Sequence, residues 1–449
     1  MNDTVAVWYH ESMLPARNHA AALLGTRAPI GLRFGAVLAA IVLMPALAEA
    51  GQFVELGVHP SAQYQSTAYG RRLATLYGFN NKIYAGYGDY SSNTGPIAIQ
   101  PYDLATMQFT PTPLLTSNTE AIYLFREIDG VLYAPHIDSK WGASGSYAYG
   151  IANGAVDTWA DAPAMTSGVA LHVFDIVKFN AALYLASTDN LDAAIYKSID
   201  NGATWTVDHR VVPTASGDFL RFYGLVDFKD SLWAQADSYY GPLTTQSEVY
   251  DGTAWTTGDP MISSGTNHAL IAQPEVFDRV VIFKLGHPGS LGPLFSFTGS
   301  RTSWLYPGDS RSILDFKVEG STLWVLSSDH RILSTERLNK WTHVQTAPEG
   351  ACSVLHYQDS LYVGTTDSRL LVYDPDAVPD TGPDFDADGD VDLSDFTTFQ
   401  GCFNGPNRPP VLADECGGPD LDDDSDVDLA DFSLFAACFN GPNRSPACE

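Results

Sequence analysis

Basic residues and cysteines are both scarce in this chain of 449 residues. Only 24 residues are Lys or Arg against 53 Asp or Glu, so the formal net charge is -29. A chain this acidic repels the phosphates of DNA and RNA, which argues against nucleic acid as a partner. Only five cysteines occur, too few for a framework of disulfides through the whole chain.

Several motifs that mark common enzymes are also missing. The sequence has no G-x-S-x-G elbow, no H-E-x-x-H pair and no phosphate-binding loop. Its eleven histidines are scattered without the spacing of metal ligands. Acid pairs such as Asp189 and Asp192 fall in turn-like segments. The sequence leaves catalysis open and favours a protein that is not an enzyme.

The sequence has no long hydrophobic run, and its longest apolar stretch lies near the N-terminus. It covers the 14 residues at 35–48, GAVLAAIVLMPALA, which is too short to span a bilayer comfortably. Three arginines precede it, and it ends in the cleavage pattern Ala48-Glu49-Ala50. This pattern predicts a signal peptide over 1–50 and a secreted mature chain without a transmembrane segment. A membrane anchor is the alternative.

Aromatic residues and glycines, by contrast, are plentiful and recur in a pattern. The chain has 22 Tyr, 22 Phe, 9 Trp and 38 Gly, a mixture typical of strands and tight turns. A hydrophobic pair flanked by turn and small residues recurs seven times, at steps of 38 to 51 residues. The pairs begin at Ile83, Leu132, Leu183, Leu232, Val281, Leu323 and Leu361.

Seven such units predict an all-β fold, a β-propeller with about seven blades over 51–376. The last unit stops at Tyr373, one strand short of a full blade. The segment Gln52–Leu56 is expected to supply that strand and close the ring, which would also remove exposed sheet edges. Six or eight blades remain alternatives.

One unit contains SIDNGATW at 198–205, an S-x-D-x-G-x-T-W motif. The Asn-Gly step favours a turn with positive φ, where the Asp carboxylate can accept backbone amides and the Trp can pack between sheets. The segment resembles the Asp-box of sialidase-like propellers. The resemblance implies a structural role for five residues: Ser198, Asp200, Gly202, Thr204 and Trp205.

Polar residues precede most of the hydrophobic pairs by about twelve positions. In a propeller this places them near the start of each innermost strand, at one mouth of the central channel. We predict that they form a rim that could bind a hydroxylated or anionic ligand such as a carbohydrate; ordinary polar residues at strand ends are the alternative. The residues are Arg71, Arg72, Glu120, His172, Arg221, His268 and Arg311.

The C-terminal part holds about half of the excess negative charge and a tandem repeat. Residues 380–449 contain 15 Asp and 2 Glu against 2 Arg. The segment DFDADGDVDLSD at 384–395 recurs at 420–431 as DLDDDSDVDLAD, an offset of 36 residues. A linker is predicted at 377–383, and a separate small module at 384–449.

Each repeat places oxygen ligands at loop positions 1, 3, 5, 7, 9 and 12, as in an EF-hand loop. The pattern predicts two calcium ions, each followed by a short helix. Position 7 would contribute its backbone carbonyl. The predicted ligands are Asp384, Asp386, Asp388, Asp390 and Asp395 in the first loop, and Asp420, Asp422, Asp424, Asp426 and Asp431 in the second.

Two loop-then-helix units without a leading helix resemble a type I dockerin. The resemblance implies docking onto a cohesin-like or cell-surface protein, and an association with polysaccharide catabolism. Dockerin contact positions 10 and 11 correspond here to Leu393-Ser394 and Leu429-Ala430. A calcium-stabilised attachment module that binds something other than a cohesin is the alternative.

Four cysteines, Cys402, Cys416, Cys438 and Cys448, fall in this module. An exported protein meets oxidising conditions, so two disulfides are expected, in any of three pairings. The sequence as a whole predicts a secreted, non-catalytic recognition or scaffold propeller attached through its C-terminal module. A carbohydrate-active hydrolase or lyase is the alternative.

Overall fold

The computed structural model describes residues 51–139, 145–154, 157–163, 170–214, 218–238, 247–262, 270–375, 377, 382–386, 390–408, 416, 418–422, 424, 426–442, 444 and 448. The predicted signal peptide, most of the predicted linker, and the predicted site residues His268 and Asp388 lie outside these residues. Within them, no helix is both long and apolar enough to cross a membrane.

The described chain is built mainly of strands, with two α-helices near the C-terminus. The strands are β1 Gln52–Val58, β2 Thr75–Phe79, β3 Lys82–Gly86, β4 Ile97–Ile99, β5 Tyr102–Asp103, β6 Gln108–Phe109, β7 Leu115–Ser117, β8 Arg126–Ile128, β9 Val131–Pro135, β10 Tyr147–Ile151, β11 Thr158–Asp161, β12 Ala170–Phe179, β13 Ala182–Asp189, β14 Asp192–Ser198, β15 Thr206–Val211, β16 Leu220–Phe222, β17 Val226–Phe228, β18 Ser231–Ala234, β19 Ala236–Ser238, β20 Ser247–Tyr250, β21 Trp255–Gly258, β22 Ile271–Phe277, β23 Val280–Leu285, β24 Leu294–Phe297, β25 Thr302–Leu305, β26 Ile313–Glu319, β27 Thr322–Ser327, β28 Arg331–Thr335, β29 Thr342–Thr346, β30 Ala351–Tyr357, β31 Ser360–Thr365 and β32 Arg369–Asp374. The helices are α1 Leu393–Cys402 and α2 Leu429–Cys438.

Within the described residues, 28 of the strands form seven four-stranded antiparallel sheets, the blades of a β-propeller, and the other four form two small sheets, β4-β7 and β16-β19. From the inside outwards, blade 1 is β2-β3-β5-β6, blade 2 is β8-β9-β10-β11, blade 3 is β12-β13-β14-β15, blade 4 is β17-β18-β20-β21, blade 5 is β22-β23-β24-β25, blade 6 is β26-β27-β28-β29 and blade 7 is β30-β31-β32-β1. All seven hydrophobic pairs lie on the second strand of a blade. The predicted seven-bladed propeller is therefore confirmed.

The N-terminal strand closes the ring as expected. β1 pairs with β32 from Gln52 opposite Asp374 to Val58 opposite Arg369, and so becomes the outermost strand of blade 7. First and last segments of the propeller are thereby held in one sheet, which leaves no blade incomplete.

Buried aspartates on two innermost strands join neighbouring blades. Asp175 follows a bulge in β12, and its Oδ2 accepts the backbone amide of Leu225 at 3.1 Å. Asp315 follows a similar bulge in β26 and accepts the amide of Val354 at 3.1 Å. Both carboxylates are buried, so each amide-carboxylate bond fixes the position of the next blade.

The two C-terminal helices are related by the sequence repeat. Asp392 and Asp428 cap them by accepting the amides of Ser394 and Ala430, each at 2.7 Å. Phe399 and Phe435, one on each helix, stack with ring centroids 5.4 Å apart. The helical region that the repeat predicts is therefore present.

The same region is held by reciprocal backbone bonds and two disulfides. Asn404 donates its amide to the carbonyl of Val427 at 3.0 Å, and Asn440 donates to Val391 at 3.1 Å. The disulfides join Cys402 to Cys416 and Cys438 to Cys448. They are compatible with an exported protein.

Candidate functional site

An ion-paired arginine fills the middle of the propeller channel. Arg126 on β8 donates from Nε to Asp175 Oδ1 at 3.0 Å, and its Nη1 bonds Glu275 on β22. Strands β8 and β22 belong to blades 2 and 5, so the side chain crosses the channel. Charge-paired side chains of blades 2, 3 and 5 therefore bridge the channel at this level.

Above the arginine, at the end where the innermost strands begin, aromatic side chains from several blades converge. Phe174 of blade 3 packs on Tyr223, which precedes β17, with ring centroids 4.6 Å apart. Tyr90 and Tyr123 meet edge to face at 6.4 Å, and Tyr90 bonds the ring of His287 at 2.8 Å. These rings form the walls of a depression, here termed the mouth.

A loop of blade 5 reaches across the mouth to blade 1. Tyr69 bonds Ser290 at 3.1 Å, and Arg72 donates to the carbonyl of Gly289 at 3.2 Å. The buried Lys284 anchors this loop, because its ammonium donates to the carbonyls of His287 at 2.7 Å and Ser290. The loop is thus held in place over the rings.

Arg221 supplies positive charge at the mouth. Its guanidinium lies 4.7 Å from the ring centre of Phe219 and donates from Nη1 to the Tyr223 hydroxyl at 3.2 Å. Its Nη2 lies 3.4 Å from His172 Nε2. The other imidazole nitrogen of His172, Nδ1, donates to the carbonyl of Ile137 at 2.7 Å.

Two titratable groups beside Arg221 have displaced pKa values. Burial, aided by the Arg221 charge, lowers the pKa of His172 to about 3, so its imidazole is neutral and accepts from Arg221. Burial raises the pKa of Asp138 to about 6 in spite of the opposing charge of Arg221. The Asp138 carboxylate lies 3.6 Å from His172 Nδ1.

The predicted rim is assembled only in part. His172 and Arg221 meet at the mouth, and Arg72 stacks on Tyr69 at 4.9 Å. Glu120 lies buried, with its backbone amide bonded to Asp138. Arg71 and Arg311 have exposed side chains and do not line the cavity among the residues that the structure describes.

The mouth is shallow, and the described part of its wall carries no carboxylate. The enclosed space is about 30 Å³, which is room for about one water molecule. A larger ligand would therefore lie across the outward faces of rings such as Tyr90 and His287. The arrangement suits binding better than proton transfer between paired acids.

The segment SIDNGATW at 198–205 folds as a closed turn between β14 and β15. Asp200 accepts the amide of Thr204 at 2.9 Å and its hydroxyl at 2.6 Å, which lowers the pKa of Asp200 to about 2. Ser198 accepts the amide of Gly202, which has a φ of +87°. Trp205 is buried against Tyr147 of blade 2 with ring centroids 5.9 Å apart. These contacts are structural.

The acidic loops bring carboxylates close enough to hold metal ions. In the first loop, carboxylate oxygens of Asp384, Asp386 and Asp395 lie within 4.8 Å of one another. In the second, Asp420, Asp422 and Asp431 do the same. A set of carboxylate oxygens suits a hard cation.

The residue at loop position 12 organises each cluster. Asp395 is fully buried, and its Oδ1 accepts the amide of Phe385 at 2.6 Å while its Oδ2 accepts that of Asp392 at 2.8 Å. Asp431 repeats this with Leu421 and Asp428, each at 2.7 Å. Backbone amides of the loop thus fix the orientation of both position-12 carboxylates.

The side chains at position 7 extend the clusters. Asp390 joins Asp392 and Asp395 in a second group within 4.8 Å, and Asp426 joins Asp428 and Asp431 likewise. The prediction used only the backbone carbonyl at this position. The side-chain Oδ2 of Asp426 accepts the amide of Asn407, and Asp424 accepts the amide of Asp426 at 3.1 Å.

Sequence reasoning missed most of the mouth. Tyr90, Tyr123 and His287 lie outside the hydrophobic repeat, and no local motif marks them. Lys284 could have been noticed, because it is a lysine within the otherwise apolar VVIFKL of β23. Two of its carbonyl partners lie in the loop after β23 and the third, that of Leu314, lies on β26, and no sequence pattern places them together.

Comparison with known proteins gives only distant structural likenesses. No protein-family model matches the chain, and no curated protein matches it significantly. Among solved structures, virginiamycin B lyase from Staphylococcus aureus is 11% identical at a TM-score of 0.44, covering 72% of this chain and 99% of that one. YCF48 from Cyanidioschyzon merolae is 11% identical at 0.43, covering 73% and 100%. The GH74 enzyme of Niastella koreensis is 12% identical at 0.45, covering 71% of this chain and 53% of that one. At these scores the likenesses identify no family, and the propeller is assigned from its own sheet topology.

Proposed function

We propose that the chain is a secreted recognition propeller that binds a carbohydrate at the mouth and is fixed to a partner or cell surface by a calcium-loaded, dockerin-like C-terminal module. The observation that carries the recognition role is the aromatic mouth beside Arg221, whose described wall holds no carboxylate. Export is supported by the two disulfides and by the signal-like N-terminal sequence.

The chemistry of the mouth favours a hydroxylated ligand. Rings such as Tyr90 and His287 offer flat apolar faces to the C–H surface of a sugar, and the tyrosine hydroxyl offers a hydrogen-bonding group at the edge. Arg221 adds a positive charge for ligands with an acidic group. A few polar groups on a mainly apolar wall are typical of specific small-ligand sites.

The C-terminal module supports an attachment role. Leu393 and Leu429 begin the two helices at repeat-related positions, and each is 70% exposed although apolar. Phe399 of α1 is buried, whereas Leu393 of the same helix faces away from the core. Two exposed leucines at the dockerin contact positions favour an apolar patch on the partner over a hydroxyl-recognising one.

Binding at the mouth is tested with Tyr90→Ala in residues 51–449. We expect about tenfold weaker binding of the best ligand from a glycan array, since truncation of an aromatic contact commonly costs more than about 1 kcal/mol. Tyr64→Ala, an exposed tyrosine away from the mouth, is the matched control and should bind normally. Isothermal titration calorimetry gives the affinities, and equal melting temperatures exclude unfolding. Unchanged binding in Tyr90→Ala would remove the mouth from the proposal.

One observation favours the enzymatic alternative. The raised pKa of Asp138 would let it donate a proton near neutral pH, as a general acid does. Product release from a panel of polysaccharides separates the two functions. New reducing or unsaturated ends that disappear in Asp138→Asn would establish an enzyme, whereas ligand binding without product supports recognition.

Attachment is tested on the cells that secrete the chain. We expect the protein to stay with the cell surface in calcium and to be released by EGTA, because calcium would hold the helices that present the two leucines. The double variant Leu393→Asp, Leu429→Asp should appear in the medium even with calcium, since it places charge on the apolar contact. Retention of this variant at the wild-type level would contradict the proposed surface.

A further inference from the structure

A groove of about 580 Å³ runs between blades 2 and 3, on the side of the propeller opposite the mouth. Its blade 2 wall contains Tyr133, Tyr147 and Tyr149, and its blade 3 wall contains Ala181 and the Asp-box turn at 201–203. The turns that border it join first to second and third to fourth strands, whereas the mouth lies where first strands begin. This volume is within the usual range of ligand sites, about 300–1,000 Å³.

The groove lies beside a third-strand position that is small in blade 3. The same position is aromatic in blades 1, 4 and 5, and it is Gly150 in blade 2 and Thr335 in blade 6. In blades 4 and 5 the third-strand residue opposite the hydrophobic pair is Tyr250 or Phe297. Each packs on an aromatic residue of the preceding blade, Tyr250 on Tyr184 at 6.0 Å and Phe297 on Trp233 at 5.3 Å. In blade 3 that position is Ser198, the first residue of the Asp-box.

Ser198 cannot fill the space that a ring fills elsewhere. Its hydroxyl is committed to the turn, where it donates to Asp200 at 2.7 Å and accepts from Gly202 at 2.8 Å. Tyr147 covers the turn, and a Cβ on Gly202 would lie 2.4 Å from the Tyr147 hydroxyl. The Asp-box therefore shapes one wall of the groove as well as closing its own hairpin.

The polar groups at the groove carry no net charge. Asp129 of blade 2 and Lys178 of blade 3 form an ion pair across it, with side chains 65% and 39% exposed. A charged ligand would have to break this pair, whereas a neutral hydroxylated ligand could bond both partners as they stand.

The backbone around the groove argues against an extended peptide as the ligand. Strands β9 and β10 supply the tyrosines, and each is paired on both sides, β9 with β8 and β10, β10 with β9 and β11. No strand edge is therefore available there for a peptide to pair with.

We propose that this inter-blade groove is a binding site for a neutral saccharide, with Tyr149 as a stacking surface and the Asp129–Lys178 pair bonding sugar hydroxyls. The site is separate from the mouth and does not depend on the function proposed for it. Tyr149 is half-buried, so its ring has a face available to a ligand.

The test uses residues 51–449 with calcium on an array of neutral glycans, followed by calorimetry with the strongest ligand. We expect Tyr149→Ala to weaken binding about tenfold, the usual scale for loss of an aromatic contact. Ala181→Gln should weaken it as well by filling the groove from an exposed turn position that carries no core contact. Tyr64→Ala is the control, and melting temperatures establish that each variant is folded.

The mouth variant Tyr90→Ala distinguishes the two sites. Binding that falls in the two groove variants and not in Tyr90→Ala supports the groove, whatever the fate of the mouth. Three results would each overturn the inference. Binding could fall only in Tyr90→Ala, it could be unchanged in both groove variants, or the protein could bind no neutral glycan on the array.

Discussion

Chelation of calcium with EGTA is expected to unfold residues 382–448 while the propeller stays folded. Without cations, the clusters around Asp395 and Asp431 hold carboxylates within 4.8 Å of one another, and mutual repulsion opposes the folded loops. The apolar core of the helical region is small, centred on Phe399 and Phe435, and cannot offset this repulsion alone. Calcium at about a thousand times its dissociation constant would add about 4 kcal/mol of stability.

Hydrogen exchange measured by mass spectrometry follows the two parts of the chain separately. Amides of Asn404 and Asn440, which bond the opposite loop, should lose about a thousandfold of protection in EGTA, the equivalent of about 4 kcal/mol. Peptides of β13 and β31 in the propeller should not change. Magnesium should not restore protection, because it demands a tighter octahedral site than these loops offer.

Matched variants test whether the two clusters are the sites. Asp395→Asn and Asp431→Asn should each remove one of two calcium ions in calorimetry, because each takes a charged oxygen from the centre of one cluster. Asp230→Asn, in an exposed propeller turn, should bind calcium like the unaltered chain. Hydrogen-exchange protection that is equal with and without calcium would contradict calcium binding by the two loops.

The propeller could be predicted because its signal is repeated along the chain. A blade buries both faces against its neighbours, so a hydrophobic pair is needed on the second strand every time, as at Leu183 in the fully buried β13. Closure was predictable by counting strands, since the last unit lacked one strand and Gln52–Leu56 could supply it. Both inferences depend on the hydrophobic pattern within each unit and on the number of units, and both can be read directly from the sequence.

The mouth could not be predicted, because its parts are single residues from separate blades. Phe174 and Tyr223 meet where blade 3 packs on blade 4, and His287 lies on a loop that crosses from blade 5. A fixed offset before each hydrophobic pair located Arg221 and His172. It did not do so for Arg311, whose side chain is exposed and lies outside the described lining of the mouth.

The C-terminal helical region was also predictable only in part. The repeat predicted both loops and both helices, since calcium ligand spacing is local. The pairing of Cys402 with Cys416 is one of three that four cysteines allow, and their spacing does not select it. Leu393 is as apolar as the core residues of α1, yet the two helices meet through Phe399 and Phe435 and leave it exposed.

Replacing Arg126 with methionine is expected to destabilise the propeller strongly. Asp175 is fully buried, and Arg126 bonds both of its carboxylate oxygens as well as Glu275 across the channel. Arg126→Met would leave this buried carboxylate without its cation, which typically costs about 3–5 kcal/mol. Urea unfolding followed by tryptophan fluorescence measures the change in the free energy of unfolding.

Two further variants separate loss of the cation from loss of packing. Arg369→Met breaks an exposed pair with Asp367, whose side chains are 40% and 57% exposed, and should cost less than about 1 kcal/mol. The triple variant Arg126→Met, Asp175→Asn, Glu275→Gln removes the stranded charges together and should regain much of the lost stability, because an uncharged set needs no cation. If Arg126→Met and Arg369→Met cost the same, or if the triple variant is no more stable than Arg126→Met, the buried charge network does not hold blades 2, 3 and 5 together.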